Sequence, residues 1–369
     1  MQANWFRITN ETEVPSPSLL IFPERIEENL SRMIACVGDV DRLRPHVKTH
    51  KLPQVIALEI KHGISKFKVA TIAEAEMTAQ SGGRDILVAY PQVGPGPNRL
   101  TELVKKFPHV VFRAIADSDC GIDALSRAAT AGRVEIDVLL DLNLGMNRTG
   151  ISPGKDAEKL YRHIVSAPGL SAGGLHAYDG HLHDADYARL TAAAEAAFVP
   201  VWNLRDGLIA SGLSVPRIVA SGTPTFSILA KRSDIELGAG TTVLWDEGQK
   251  TLSPDLDFLS AAILMTRVIS RPTDDSLCLD IGHKSVASEM PHPRVKIFGL
   301  EDASFVLHSE EHLVVRTPKA EEFPVGSVLY AMPRHICPTV ALHSDVCAVR
   351  GGRVVEIWPV VARTRRITI

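Results

Sequence analysis

The chain has 369 residues, 45% of them hydrophobic and 22% charged, with a formal net charge of -3 at pH 7. That length fits one large domain joined to a smaller one, and the charge balance excludes a general attraction to nucleic acid or anionic membranes. Five scattered cysteines (Cys36, Cys120, Cys278, Cys337, Cys347) make no disulfide framework. No apolar run is long enough to span a bilayer, and Met1-Gln2-Ala3-Asn4-Trp5 lacks the features of a signal peptide, so a reducing cytoplasm is expected.

Strand-like and helical runs then alternate. Ser18 to Phe22 is a short apolar run, and Pro23 to Val37 reads as an amphipathic helix with Ile26, Leu30, Met33 and Ile34 on one side. Arg44 to Val47 reads as a short buried strand, within a strand running from Leu43 to Lys48. Helices at Pro53 to His62, Thr71 to Ser81, Arg99 to Phe107, Asp119 to Ala131, Asp156 to Ser166 and Asp184 to Ser211 separate the strands that follow. Those strands are Lys66 to Ala70, Asp85 to Tyr90, Val110 to Ala116, Glu135 to Leu142, Leu170 to Tyr178, Arg217 to Ser221 and Ile235 to Ala239. Eight strands with helical connections predict a (β/α)8 TIM barrel over residues 1–245. A doubly wound open sheet is the competing arrangement. From 246 to 369 the pattern changes to short alternating runs without a long helix, which predicts a β-rich second domain. The opening residues up to about Phe22 precede the barrel and can join that second sheet.

The chemistry collects at strand ends. Lys48 follows the first strand, between His46 and His50. Partial burial and neighbouring cations lower a lysine's pKa, which suits a Schiff-base amine. Ser221-Gly222-Thr223 and Gly238-Ala239-Gly240-Thr241 follow the last two strands, where barrels cradle phosphate with glycine amides and hydroxyls. Arg148, after the fifth strand, can hold a cofactor or carboxylate oxygen. At the sixth strand's end Tyr178 can face a ring and His181 can move a proton near neutral pH. His176, inside that strand, reads as a hydrogen-bonded core histidine. His335-Ile336-Cys337, taken as part of a strand, puts imidazole and thiol on one face, where they can share a metal with open positions for water or substrate.

Arg44-Pro45-His46-Val47-Lys48-Thr49-His50-Lys51 resembles the lysine motif of fold-type III pyridoxal phosphate enzymes of the D-threonine aldolase and D-serine dehydratase group. The resemblance continues through Gly145-Met146-Asn147-Arg148-Thr149-Gly150, Tyr178-Asp179-Gly180-His181, Asp280-Ile281-Gly282-His283-Lys284 and Pro333-Arg334-His335-Ile336-Cys337-Pro338-Thr339. It implies an alanine-racemase-like barrel with a C-terminal β domain. It also implies pyridoxal 5'-phosphate on Lys48, a divalent metal (zinc, manganese or magnesium) on His335 and Cys337, and a homodimer. The implied substrate is a D-3-hydroxy amino acid. Aldolase-type cleavage would give glycine and an aldehyde; the alternative, a D-serine or 3-hydroxyaspartate dehydratase, would give a 2-oxo acid and ammonia. Base candidates for the aldolase route are His46, His50 and His181. A racemase on the same barrel would use Lys48 and a tyrosine of the second domain, and the His335/Cys337 pair argues against it. A non-catalytic cofactor carrier would usually lack the second domain. A sugar-phosphate enzyme would use the glycine turns for its substrate.

Overall fold

The structure is a computed structural model that describes residues 4–369; residues 1–3, which open both the first domain and the signal-peptide reading, lie outside the described residues. In chain order β1 is Ser18–Ile21, α1 Pro23–Val37, α2 Pro53–Lys61, β2 Lys66–Val69 and α3 Ile72–Gln80. Next come β3 Asp85–Val88, α4 Gly96–Lys106, β4 Val111–Ala116, α5 Asp119–Gly132, β5 Ile136–Asn143 and α6 Lys155–Ser166. The barrel run ends with β6 Leu170–Tyr178, α7 Tyr187–Ala210, β7 Ile218–Ala220, α8 Phe226–Ala230 and β8 Glu236–Leu237. Then follow α9 Glu247–Leu252, β9 Ala262–Ser270, β10 Ser276–Leu279, β11 Val295–Ile297, β12 Ser304–His308 and β13 Leu313–Arg316. The last elements are β14 Val328–Pro333, α10 Ile336–Leu342, β15 Asp345–Arg350 and β16 Arg353–Pro359. Among the described residues no helix is long and apolar enough to cross a membrane.

The chain forms two compact units. One comprises Ser31–Lys48, Ile56–Gly240 and Thr364–Ile369; the other takes the residues up to Leu30 together with Thr49–Val55 and Thr241–Arg363.

In the first unit β2 to β8 form a parallel sheet in sequence order. The strand expected over Leu43 to Lys48 is not a strand. Leu43 and His46 make isolated parallel bridges to Leu237 and Lys68, and Lys48 lies in a 3-10 turn, Val47–Thr49. Pro45 is the physical reason: it has no N–H to donate, so a continuous ladder cannot run through it. The segment still joins the last strand to the first. Arg44 N donates to Leu237 O at 2.9 Å, and Lys68 N donates to Pro45 O at 2.9 Å. This is the closed (β/α)8 arrangement with one strand reduced to bridges.

The barrel interior is stratified. At the N-terminal strand ends lies an alternating ring of charges. Arg44, fully buried, binds Asp85 and Glu236 at 2.7 Å each, Lys66 binds Glu236 at 3.0 Å, and Arg113 binds Asp85 at 2.8 Å and also Asp137. Arg217 closes on Asp137 at 2.9 Å. Above the ring Leu87, Ile115, Leu139 and Val219 pack as an apolar layer. The helices use ordinary local chemistry: Thr71 Oγ1 caps α3 by accepting from Glu74 N at 3.1 Å, while Glu74 Oε2 accepts from Ala70 N at 2.6 Å.

The second unit is built on a nine-stranded sheet whose main path runs β12-β13-β10-β9-β1-β15-β16, with β14 also on β9 and β11 on β14. The opening strand β1 is therefore internal to this sheet, antiparallel to β9 and parallel to β15. One face packs Phe6, Leu20, Phe22, Ile263, Met265 and Tyr330. Phe6 stacks on Phe298 with ring centroids 4.2 Å apart.

Candidate active site

The C-terminal strand ends of the barrel carry most of the residues singled out from sequence. The loop after β5 is held rigid by Asn143, whose Oδ1 accepts from the amides of Gly145 and Asn147 at 3.0 Å each. Gly150 N donates to Asp117 Oδ2 at 2.9 Å, and a Cβ on Gly150 would press on the Leu142–Asn143 backbone. This loop presents Arg148, whose guanidinium carbon lies 5.1 Å from the centre of the Tyr178 ring at the end of β6. Asp141, Asn143, Arg148, His176 and Tyr178 line a small cavity there.

His176 is a buried, hydrogen-bonded histidine, as read from sequence: its Nδ1 meets Asp141 Oδ1 at 2.6 Å. The second Asp141 oxygen is buried without a hydrogen-bond partner among the described residues. His181 stands against the same loop. Its Nε2 would lie 3.0 Å from a Cβ on Gly145, so glycine leaves room for the ring. Its Nδ1 is buried and unpartnered among the described residues.

The turn after β7 is tied to β6 through Asp179. This fully buried carboxylate accepts from Gly222 N and, at 2.6 Å, from Thr225 Oγ1. Burial pushes its pKa up against those two bonds. Gly222 has therefore spent its amide on Asp179. Ser221, in the left-handed region at φ 71°, keeps a buried hydroxyl without a partner among the described residues, and Thr223 is buried beside it in sequence. Gly238 N donates to Ala220 O at 2.8 Å, which sets Gly238 beside that turn. Gly240 ends this unit. An orphaned buried hydroxyl in a glycine turn at the strand ends fits the phosphate of pyridoxal phosphate.

Around the lysine, Lys48 N donates to His46 Nδ1 at 3.3 Å, so the neutral His46 ring carries its proton on Nε2. In the second unit Leu52 N donates to His50 Nδ1 at 3.1 Å, which fixes the same tautomer. His50 is fully buried; burial, and then the Lys51 charge, drive its pKa down to about 3. Such a ring is a weak proton acceptor near neutrality, which counts against His50 as the base.

The His335/Cys337 pair also lies in the second unit, and its local structure differs from expectation. β14 stops at Pro333, His335 is the N-cap of α10, and Cys337 is in its first turn. Pro338 accounts for this, because a first helical turn tolerates proline and an internal strand does not. The two side chains nevertheless meet in a hydrogen bond. Cys337 Sγ lies 3.3 Å from Thr49 Oγ1 and 3.6 Å from Thr241 Oγ1, so Thr241 belongs to this cluster. His335 Nδ1 faces Glu289 Oε1 at 2.5 Å, which leaves Nε2 for another partner. Asp246 Oδ2 accepts from Ile336 N at 2.8 Å, and its Oδ1 accepts from Gln249 N at 2.8 Å. Burial lowers the His335 pKa, but Cys337, Glu289 and Asp246 outweigh it and push the value up to about 9. A thiol beside an imidazole whose far nitrogen rests on a carboxylate fits a divalent cation. Among the described residues no cluster of three or more His, Cys, Asp or Glu gathers for a metal.

Sequence reasoning passed over Lys68, Asp246 and Glu289, and named Asp179 only as part of a motif, with no role of its own. One signal was available for Lys68: Lys66-Phe67-Lys68 puts two lysines on one face of a strand that burial on both sides should make apolar.

The comparisons with known proteins agree with this architecture. The alanine racemase N-terminal domain model matches residues 21–237 and the serine dehydratase domain model matches 261–349. The chain is 28% identical to the D-threonine aldolase of an Arthrobacter species, over 95% of this chain and 93% of that one. It is 26% identical to the D-threo-3-hydroxyaspartate dehydratase of Delftia sp. strain HT23, over 93% and 96% of the two chains. The crystal structure of D-threonine aldolase from Filomicrobium marinum superposes with a TM-score of 0.89 at 28% identity, covering 96% of each chain. With more than half of its length matched by one model, the chain belongs to the alanine racemase N-terminal-domain family, and the segment that follows the barrel is similar to the serine dehydratase domain.

Proposed function

We propose that the chain is a pyridoxal phosphate- and divalent-metal-dependent lyase that cleaves D-3-hydroxy amino acids, in the manner of D-threonine aldolase, to glycine and an aldehyde. The observation that carries this reading is the His335–Cys337 pair backed by Glu289, in a chain whose barrel bears Lys48. The full-length similarity to D-threonine aldolases supports it.

Bound pyridoxal phosphate supplies an electron sink for charge that develops at the substrate's Cα. A bound divalent cation supplies a Lewis acid for the β-hydroxyl. Lys48 Nζ would hold the cofactor's aldehyde carbon covalently. Ser221 Oγ and Thr223 would donate to its phosphate, with Gly222, Gly238 and Gly240 leaving room. Arg148 and Tyr178 would flank its ring. His335 Nε2 and Cys337 Sγ would hold the cation, and Glu289 would keep the imidazole turned toward it. His181, against the Arg148 loop, is the preferred acceptor for the β-hydroxyl proton, ahead of His46 and the buried His50.

The match to 3-hydroxyaspartate dehydratase favours a second reading. There Lys48 would take the Cα proton and hydroxide would leave, together a molecule of water, and hydrolysis of the dehydrated product by another water would give a 2-oxo acid and ammonia. A panel of D-3-hydroxy amino acids, assayed for glycine against ammonia with and without EDTA, separates the two. The account predicts glycine and aldehyde, lost on chelation. Ammonia would assign the second reading, and EDTA-insensitive turnover or racemised product would refute both.

A further inference from the structure

Lys68 is only 2% exposed, although its strand lies in the barrel wall. Two residues earlier on the same face, Lys66 is paired with Glu236 in the charged ring. Among the described residues Lys68 has no such partner. The carboxylates that act on it are Asp179, which is engaged with Gly222 and Thr225, and Asp141, which meets His176 through one oxygen and keeps the other without a hydrogen-bond partner; among the described residues neither forms an ion pair with Lys68. The ammonium is seated on Gly238, where any Cβ would collide with Nζ, and it lies 5.4 Å from the centre of the Tyr178 ring. Gly238 is hydrogen-bonded to Ala220, the neighbour of Ser221, whose buried hydroxyl is itself unpartnered among the described residues. A buried amine and a buried hydroxyl thus stand on either side of Gly238, without an ion-pair or hydrogen-bond partner among the described residues. Burial first, and then the Lys48 and Arg44 charges, bring the Lys68 pKa down to about 7, so an anion arriving here would restore its charge. An ammonium left in this position costs the empty fold free energy, which an arriving anion would offset.

We propose that Lys68 is a ligand-contacting residue, its amine meeting an anionic oxygen of the bound pyridoxal phosphate while Gly238 keeps the space for it. This rests on the cofactor assignment above and adds to it a second amine besides Lys48.

The test is titration of full-length apoprotein with pyridoxal phosphate, pyridoxal and inorganic phosphate, alongside its melting temperature without ligand. Lys68→Met should weaken pyridoxal phosphate binding by about tenfold or more, as expected for loss of a charge-assisted hydrogen bond. The same variant should melt at an equal or higher temperature when empty, since an apolar side chain replaces an unpaired buried charge. Gly238→Ala, which displaces the amine without removing it, should also weaken binding, and the double variant should lose little more. A loss confined to pyridoxal phosphate and inorganic phosphate would place the contact on the phosphate; a loss shared with pyridoxal would place it on the ring oxygen. Unchanged pyridoxal phosphate affinity in Lys68→Met, with or without a lower melting temperature, would overturn the proposal and leave Lys68 a filler of the barrel. Wild-type protein that binds no pyridoxal phosphate would instead overturn the cofactor assignment, and this proposal with it.

Discussion

Thr225 donates its hydroxyl to Asp179 Oδ2 at 2.6 Å, and the other oxygen of the same carboxylate takes the Gly222 amide. One buried side chain at the end of β6 therefore sets the shape of the turn after β7. Asp179→Ala should leave both donors unpaired, at a cost of roughly 1–3 kcal/mol. The Ser221 hydroxyl should also lose its fixed position. Urea unfolding should show the stability loss, and titration with pyridoxal phosphate a weaker complex; an unaltered affinity would mean that this turn does not hold the cofactor.

The charged ring at the other end of the strands makes a separate prediction. Arg44→Met removes the guanidinium that Asp85 and Glu236 share, and breaking a buried pair on one side costs roughly 3–5 kcal/mol. The pH dependence has a definite sign. Burial raises both carboxyl pKa values, but the arginine contacts and, for Glu236, Lys66 outweigh it. Each ends below its ordinary value, 3.8 for Asp85 and 4.5 for Glu236. A depressed folded-state pKa gives stability that is complete above the ordinary value and is lost as pH falls toward the folded one. Thermal melts should therefore show the gap between wild type and Arg44→Met closing below about pH 4.5 and staying constant from there to neutrality.

These two layers differ in how readable they were. The helix Pro23–Val37 and the strand Leu170–Tyr178 have the bounds expected from their periodicity, because local pattern and tertiary burial agree there. The charged ring was not legible, since Arg44, Asp85, Arg113, Asp137 and Glu236 are far apart in sequence and meet only when the sheet curls. Pro45 and Pro338 could have corrected two assignments, the opening strand and the His335–Cys337 strand. Lys48 was singled out from its place at a strand end, and His335 and Cys337 from their spacing, before motif resemblance added weight to both. Asp246 and Glu289 were not, because a carboxylate that braces an imidazole or an amide from a distant segment has no fixed spacing from it.

Glu289 gives the third prediction. With Nδ1 of His335 resting on it, Glu289→Gln should loosen the imidazole and weaken divalent metal binding by about 10–100-fold, the usual effect of losing such a partner. Asp246→Asn should act in the same direction through the Ile336 amide. Equilibrium dialysis with zinc or manganese measures both, and pyridoxal phosphate affinity in the same variants should be unchanged. Metal affinity equal to wild type in both variants would remove His335 and Cys337 from the metal assignment.

The account stands on covalent attachment of pyridoxal phosphate to Lys48, in a barrel that also buries a second amine. Borohydride reduction of the reconstituted protein, followed by peptide mapping, tests it most directly. The account predicts a single pyridoxyl label on the peptide containing Lys48, absent from Lys48→Ala. A label on Lys68 or elsewhere, or none at all, would contradict it.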